Sequence, residues 1–252
     1  MFTRAITRKP GKNFHRGITG VSLGTPGYTL ILQQHDAYIR TLRSLGLEVI
    51  LLDAHPDFPD AYFVEDTAVV TPEVAAITLP GAAARQGEED TIEAVLAKYR
   101  KTVRIRSPGT LDGGDVFAAG NHYYIGLSER TNKNGAEQLG SILEEYDHSR
   151  TIIPVRYGLH LRAGVNYIGH NTLLLNEEYA TLEAFKKYSR IVLDKDEAYA
   201  ANTLWTNDRL ITPKGFPKTR KKLSTMGIEI IELDVSEMHK MDGGLTCMSI
   251  RF

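Results

Sequence analysis

The chain has 252 residues, of which 42% are hydrophobic and 24% charged, so it can bury a sizeable core and has the composition of an ordinary globular protein. Its 30 basic and 31 acidic side chains leave a formal net charge of -1, which argues against a protein that binds nucleic acid or an anionic membrane. Because no apolar run approaches about 20 residues and there is a single cysteine, we expect a cytoplasmic protein with no membrane span and no internal disulfide, whose partner is a small molecule.

The first predicted elements are a strand at residues 5–7, a helix at 28–45 and a strand at 48–52. This set is one strand short of the units that follow it. Each of the next four units has two short strands, a helix and a further strand, and turn dipeptides such as Gly120-Asn121 mark the hairpins. The predicted elements lie near 64 and at 75–77, 88–98 and 103–105 in the second unit, at 115–119, 122–126, 132–146 and 151–155 in the third, at 165–168, 172–175, 182–188 and 191–193 in the fourth, and at 203–205, 209–211, 217–225 and 228–233 in the fifth.

A last strand at residues 246–251 has no partner in the fifth unit. Pairing this strand beside residues 5–7 completes the first unit and closes a ring, which protects edges that an open array would expose. The pattern therefore favours a closed ring of five ββαβ units over the alternative, a conventional α/β sandwich with irregular strand order. No Gly/Ser-rich linker or charge block divides the chain, so we predict one domain over residues 1–252.

Two residues are candidates for nucleophilic chemistry. A lone cysteine is usually a small core residue, but Gly243-Gly244 precede Cys247, and the last strand would place it at a strand end near the centre of the ring. A thiol nucleophile needs a proton-transfer partner, usually histidine. His160 directly follows a predicted strand and Tyr157-Gly158-Leu159, a setting that suits a side chain projecting into a cleft.

Acidic residues form two groups beside apolar strands, Asp60 to Asp66 and Asp112 to Asp115. Carboxylates next to core strands are costly to bury unless a cation lies between them. A turn, a helix cap or a calcium or magnesium site are the alternatives, but the spacing matches no calcium loop and no cysteine-histidine zinc pattern is present. A bound organic cation explains the carboxylates better, and we expect no metal.

Arg85 and Arg130 both lie where a predicted strand gives way to a helix. A surface salt bridge is the usual fate of such arginines. Two guanidinium groups facing the same cleft would instead hold a carboxylate in a fixed geometry.

With these residues assembled, the sequence closely resembles the dimethylarginine dimethylaminohydrolases of the guanidino-group-modifying (pentein) superfamily. The resemblance spans most of the chain in order, and the arginine deiminases of the same superfamily are longer. The matching stretches are Phe63-Val64-Glu65-Asp66, Leu111-Asp112-Gly113-Gly114-Asp115, Ser128-Glu129-Arg130-Thr131-Asn132, Gly158-Leu159-His160-Leu161 and Asp242-Gly243-Gly244-Leu245-Thr246-Cys247. The resemblance implies a five-bladed α/β propeller with pseudo-five-fold symmetry, in which the N- and C-terminal strands share one blade.

The resemblance also implies roles for individual residues. Cys247 would be the nucleophile, His160 the general acid and base, and Asp112 the carboxylate that orients His160. Some bacterial relatives have Glu at the position of Asp112, so a shorter acid must reach His160 here. The implied substrate-binding residues are Glu65 and Asp66 at the guanidinium end, Arg85 and Arg130 at the α-carboxylate, Asp60 with backbone carbonyls near Ile18 and Met241 at the α-amino group, and Ile18 on a flap over the entrance. Phe63 is a further implied substrate-binding residue.

The implied reaction is the hydrolysis of Nω-methylated L-arginine to L-citrulline and dimethylamine or methylamine, through an S-alkylthiouronium intermediate on Cys247 and without a cofactor. An arginine deiminase or another guanidine hydrolase of the superfamily is the nearest alternative. Transfer of the amidino group to an amine is also possible in the superfamily. A non-catalytic arginine-binding module is the alternative from a different class. Dimerisation is common among bacterial relatives, so a homodimer is left open, although no surface patch in the sequence points to one.

Overall fold

The computed structural model describes residues 1–252, which form five three-stranded sheets of the same design. In each sheet the middle strand pairs antiparallel with one neighbour and parallel with the other. We number these sheets and their helices as blades one to five in chain order. The parallel partner always follows the connecting helical segment, as expected for a crossover connection.

The blade elements have the following bounds. Blade one contains the strands Arg4–Arg8, Glu48–Leu52 and Ile250–Arg251 and the helix Tyr28–Ser44. Blade two contains Ala68–Val70, Val74–Ile77, Lys101–Arg104 and the helix Glu88–Leu96. Blade three contains Val116–Ala119, His122–Leu127, Ser149–Pro154 and the helix Lys133–Glu144. Blade four contains Val165–Tyr167, Thr172–Leu175, Ser189–Val192, the short helix Glu177–Ala180 and the 3₁₀ turn Glu183–Phe185. Blade five contains Leu204–Thr206, Arg209–Pro213, Glu229–Leu233 and the helix Pro217–Ser224.

Shorter helical segments lie within or between the blades. Two are single-turn α-helices, Leu161–Gly164 and Ser236–His239. The others are 3₁₀ helices, Phe14–Arg16, Val64–Thr67, Ala83–Arg85, Gly113–Asp115 and Lys195–Ala201. No helix combines the length and apolar character needed to cross a membrane.

Five apolar clusters lie between neighbouring blades and hold the ring together. One cluster joins Ile6 and Ile250 of blade one to Ala75 and Ile77 of blade two, and similar clusters follow between blades two and three, three and four, and four and five. The fifth joins Leu204 and other blade-five residues to the helix of blade one. Since the series returns to its starting blade, the predicted closed ring is confirmed.

The helices were largely predictable from spacing. The apolar stripe predicted for the third unit, Ala136, Leu139, Ile142 and Leu143, is buried in the structure. Asn132 caps this helix, because its side chain accepts a hydrogen bond from the N–H of Gly135.

Three predicted elements differ from the structure. Val64 belongs to a 3₁₀ helix rather than a strand. The fourth helix, predicted at 182–188, is replaced by two short helical segments, which bury Tyr179 and Phe185 against blade three. The closing strand covers only Ile250–Arg251, because the residues before it leave the sheet: Thr246 lies in a turn and bonds to Glu65, and Ser249 bonds to Tyr38.

The closing strand generates a test of the ring. Ile250 is 5% exposed between blades one and two, so Ile250→Ala should lower the free energy of unfolding by about 2–5 kcal/mol. Leu51→Ala is the control, since Leu51 lies in the same sheet but is 46% exposed, and should change stability by about 0.5 kcal/mol or less. Denaturant titration measures both variants, and equal losses would contradict the role of the closing strand.

Candidate active site

Cys247 lies in the turn that precedes the closing strand, not on the strand itself, and it is half-buried. Its carbonyl oxygen accepts a hydrogen bond from the N–H of Glu65 at 3.1 Å. The preceding residue is tied down as well, because the N–H of Thr246 donates to Asn202 at 2.9 Å and its hydroxyl donates to Glu65 at 2.7 Å. The thiol is therefore held by backbone and side-chain bonds to two other blade junctions.

His160 occupies the N-cap position of the single-turn helix Leu161–Gly164, and its side chain contacts Asp112. The distance between His160 Nε2 and Asp112 Oδ2 is 2.9 Å, so the shorter acid reaches the imidazole. The other Asp112 oxygen accepts from the N–H of Gly81 at 2.8 Å. Both side chains are buried, which fixes the orientation of the ring.

Asp115 supports both members of this pair, a role that the sequence does not reveal. It is fully buried and accepts hydrogen bonds from the N–H of Leu161 at 2.9 Å and from the hydroxyls of Ser128 and Thr131, both at 2.6 Å. The Thr131 hydroxyl in turn accepts from the N–H of Asp112 at 3.1 Å. One carboxylate thus links the backbone beside His160 to the backbone of Asp112.

Arg85 is buried rather than on the surface, and most of its donors are already used. Its guanidinium pairs with Asp66 at 2.6 Å and Glu88 at 2.8 Å, and it also donates to the carbonyl of Phe63 at 3.2 Å. Burial raises the pKa of Glu88 to about 7, although Arg85 opposes the shift. Arg130 differs, because it is half-buried and forms no ion pair.

Asp66 also accepts from the N–H of Gly114 at 3.0 Å, and this close approach requires a glycine. A Cβ at Gly114 would lie 2.8 Å from both Asp66 Oδ1 and His160 Nδ1. The Gly-Gly pair of the second acidic group therefore brings a blade junction into contact with the imidazole and the carboxylate together.

Glu65 pairs with Arg162, which sequence reasoning also missed. Arg162 follows His160 by two residues and additionally donates to Asn166 at 2.8 Å. A second cation, Arg251, lies 3.6 Å from the same carboxylate. The negative charge of Glu65 is therefore balanced by the two arginines within the protein.

Asp60 is 5% exposed beneath the segment that carries Ile18. The N–H of Ile18 donates to Asp60 at 3.0 Å, whereas the Ile18 side chain is 41% exposed. The segment is bonded again at Asp242, which accepts from Thr19 and Gly20. These contacts hold the segment that carries Ile18 against Asp60 and Asp242, and its role as a flap stays a prediction.

Two cavities meet at Cys247 and His160. The smaller, of about 30 Å³, brings together seven further predicted residues: Ile18, Asp60, Phe63, Asp66, Arg85, Arg130 and Met241. The larger, of about 340 Å³, is lined by Glu65 and by several residues that the sequence did not single out. Asp112 lies behind His160. All eleven predicted site residues therefore belong to one region.

The acidic lining controls the ionisation of the reactive groups. Burial and the charges of Glu65 and Asp66 raise the pKa of Cys247 to about 12. Burial alone would lower the pKa of His160, but Asp66, Asp112 and Asp115 raise it to about 10. At neutral pH the resting site therefore contains a neutral thiol and an imidazolium.

Asp66, Asp112 and His160 place their ligand atoms within 4.8 Å of one another, so this group has the composition of a metal site. Protein donors already meet these carboxylates: Arg85 and Gly114 at Asp66, and Gly81 and His160 at Asp112. This donor set favours the expectation of a metal-free site over the alternative of a metal centre.

Thiol titration tests this electrostatic balance. We expect the ultraviolet absorbance of the Cys247 thiolate to appear only well above pH 9 in the free protein. Glu65→Gln should lower the thiol pKa, because one of the charges that raises it is removed and Arg162 loses its partner. Glu129→Gln, at an exposed position, is the control and should leave the titration unchanged. A thiolate present in the free protein at pH 7 would refute the balance.

The comparisons with known proteins agree with this geometry. The family model described as N,N dimethylarginine dimethylhydrolase, eukaryotic, matches residues 28–182, more than half of the chain. An N(G),N(G)-dimethylarginine dimethylaminohydrolase from Pseudomonas aeruginosa is 42% identical over 254 residues, which cover 100% of both chains. The enzyme of the same name from Streptomyces coelicolor is 33% identical over 98% of this chain and 96% of its own.

Solved structures give the same assignment. A cysteine-to-serine variant of the Pseudomonas aeruginosa enzyme, complexed with citrulline, is 41% identical, covers 100% of both chains and superposes with a TM-score of 0.98. The N-terminal domain of the arginine dihydrolase ArgZ is 18% identical with a TM-score of 0.90, covers 97% of its chain and 100% of this one, and shares the fold alone. The chain therefore belongs to the dimethylarginine dimethylaminohydrolase family and has its five-bladed α/β propeller, or pentein, fold.

Proposed function

We propose that this protein hydrolyses Nω-methylated L-arginine to L-citrulline and dimethylamine or methylamine. The observation that carries the proposal is that Cys247 and His160 open into the same cavity as Asp60, Asp66 and Arg130. A nucleophile and an acid thus face groups suited to a cationic amino acid. The names of the relatives and the citrulline complex of one of them support the same reaction.

The two ends of the substrate would be held by different residues. Arg130 has a guanidinium free to take the α-carboxylate, with Arg85 beside it, while Arg85 is chiefly engaged in its ion pair with Asp66. Asp60 would receive the α-amino group, together with the carbonyls near Ile18 and Met241. Phe63, Glu65 and Asp66 would enclose the guanidinium, whose positive charge would balance the negative charge of the acidic lining.

The thiol is neutral in the free enzyme, so the arriving substrate must help to ionise it. A guanidinium beside Cys247 offsets the charges of Glu65 and Asp66, which lowers the thiol pKa in the complex. The thiol proton passes to solvent, and the thiolate then adds to the guanidine carbon. Asp66 and Asp112 keep the group planar and cationic, so its carbon remains electrophilic.

Amine departure and hydrolysis use the same imidazole. His160, already protonated at neutral pH, gives its proton to the departing nitrogen as the carbon–nitrogen bond breaks, leaving an S-alkylthiouronium on Cys247. His160 then accepts one proton from water as the water oxygen bonds to the same carbon. The carbon–sulfur bond breaks, and the remaining proton on that oxygen passes to the sulfur. The products are citrulline and one amine, and Cys247 regains its thiol.

We further propose that the chain acts in the cytoplasm as one catalytic domain over residues 1–252, without a cofactor or a nucleic-acid or membrane partner, and that a homodimer is its assembly if it oligomerises. The near-neutral net charge supports the absence of a nucleic-acid partner. Light scattering of the purified protein would decide between monomer and dimer.

Product analysis tests the reaction. The protein should release dimethylamine from Nω,Nω-dimethylarginine and methylamine from Nω-monomethylarginine, each with one equivalent of citrulline. Ammonia from arginine at a higher kcat/KM would identify an arginine deiminase instead. Cys247→Ser should abolish turnover while keeping substrate affinity, and citrulline release by that variant would reject the assignment. Ligand binding without a thiol adduct to a reactive amidine would indicate a binding module.

Asp115→Asn tests whether Asp115 positions His160. Loss of this charge should lower the pKa of His160, measured by NMR titration of the ring, because Asp115 is one of the groups that raise it. We expect kcat to fall at least about tenfold, within the range that general acid–base catalysis contributes, with little change in KM. Ser128→Ala is the matched control, since it removes one donor but keeps the carboxylate. An unchanged His160 pKa and kcat in Asp115→Asn would refute the role.

A further inference from the structure

The larger of the two cavities has no role in the binding of the amino-acid end. It shares Cys247 and His160 with the smaller cavity but contains none of Asp60, Arg85 or Arg130. The reactive sulfur and imidazole therefore stand at the junction of two compartments. A substrate whose amino and carboxylate groups occupy the first compartment has its guanidine carbon at this junction.

Most polar groups of the larger cavity are already paired within the protein. Arg162 is bonded to Glu65, and Asn202 donates to and accepts from Thr246. The Tyr199 hydroxyl donates to the carbonyl of Gly243 at 2.9 Å. Asp242 accepts hydrogen bonds from the Thr19 hydroxyl and the N–H of Gly20, and the ring of His239 packs on Tyr199.

What these pairs leave to a ligand is an apolar and aromatic surface. Val21, Tyr157 and Ala163 line the cavity, and Tyr199 stacks on His239 with ring centroids 3.6 Å apart and planes inclined by 21°. Such a surface suits alkyl groups.

The covalent geometry of the substrate completes the argument. One guanidine nitrogen carries the chain back to the first compartment, so the other two point away from it. The nitrogen that bears the methyl groups is also the one that leaves. We propose that the larger cavity is the subsite for the N-alkyl substituent and then for the departing alkylamine. This assignment rests on the proposed function.

The volume of the subsite predicts its tolerance. A cavity of about 340 Å³ lies in the range of about 300–1,000 Å³ typical of small-molecule sites, whereas a dimethylamino group has three heavy atoms. The enzyme should therefore also hydrolyse arginines with a longer substituent, such as Nω-propyl-L-arginine.

The test narrows the cavity from its flap side. Val21→Phe adds bulk at a partly exposed residue that lines only the larger cavity. Leu23→Phe is the matched control, because Leu23 lies on the same segment, is 49% exposed and lines neither cavity. The kcat/KM of each variant is measured for arginine and for its monomethyl, dimethyl and propyl derivatives.

Val21→Phe should lower kcat/KM for the dimethyl and propyl substrates at least about tenfold more than for arginine, the scale on which apolar pockets discriminate single methylenes. The inhibition constant for citrulline, which reports on the first compartment, should stay within about twofold of that of the unaltered protein. Val21→Ala should shift the selectivity toward the propyl substrate. Equal losses for all substrates, or a selectivity that matches Leu23→Phe, would overturn the proposal.

A binding measurement separates this inference from the proposed function. In the Cys247→Ser background, calorimetry compares the affinities of arginine and Nω-propyl-L-arginine with Val21 or Phe at position 21. If the Phe variant binds Nω-propyl-L-arginine more weakly but binds arginine equally well, the subsite is supported even when no substrate is turned over. If the two proteins bind Nω-propyl-L-arginine with equal affinity, the proposal is overturned. Failure of the proposed function appears separately, as the absence of amine release by the unaltered protein.

Discussion

The constraint on which the site depends is the burial of many carboxylates around one thiol. Buried anions are tolerated only when donors surround them, and here each acid has its own set. Arg85 meets Asp66, Arg162 meets Glu65, and His160 meets Asp112. The carboxylates of Asp60 and Asp115 accept hydrogen bonds only from neutral donors, namely backbone N–H groups and hydroxyls. The region thus remains electronegative, which favours a cationic substrate over a resting thiolate.

The ring explains how residues so distant in sequence reach one place. The donors and acceptors come from the junctions between blades, and the contact between Arg162 and Glu65 spans 97 residues of sequence. The apolar clusters between blades fix the relative positions of these junctions. A packing defect between any two blades would therefore be transmitted to the hydrogen bonds that hold Cys247 and His160.

Much of this arrangement could be predicted, because repeated strand and helix patterns are local signals. The glycine-flanked Cys247 and the acidic groups were visible in the sequence because carboxylates beside apolar strands are unusual. Arg162, Asn202 and Asp115 were missed because their importance lies in non-local partners. The burial of Arg85 was missed for the same reason: sequence shows a cation near a strand end but not the acids that surround it. The strand predicted at 246–251 forms only at Ile250–Arg251, because side-chain bonds at Thr246 override local propensity in its first residues.

The pairing of the closing strand with the first strand has a consequence for biosynthesis. Ile250 pairs with Ile6, and the N–H of Arg4 donates to the carbonyl of Phe252. During translation, blade one lacks its closing strand until the other four blades have emerged from the ribosome. Until then one edge of its sheet is unpaired, and apolar surfaces at its contacts with the neighbouring blades are uncovered. The nucleophile is added only a few residues before that edge is sealed. A nascent chain therefore cannot assemble a working active site ahead of its tertiary structure, and premature termination would yield an inert, aggregation-prone fragment.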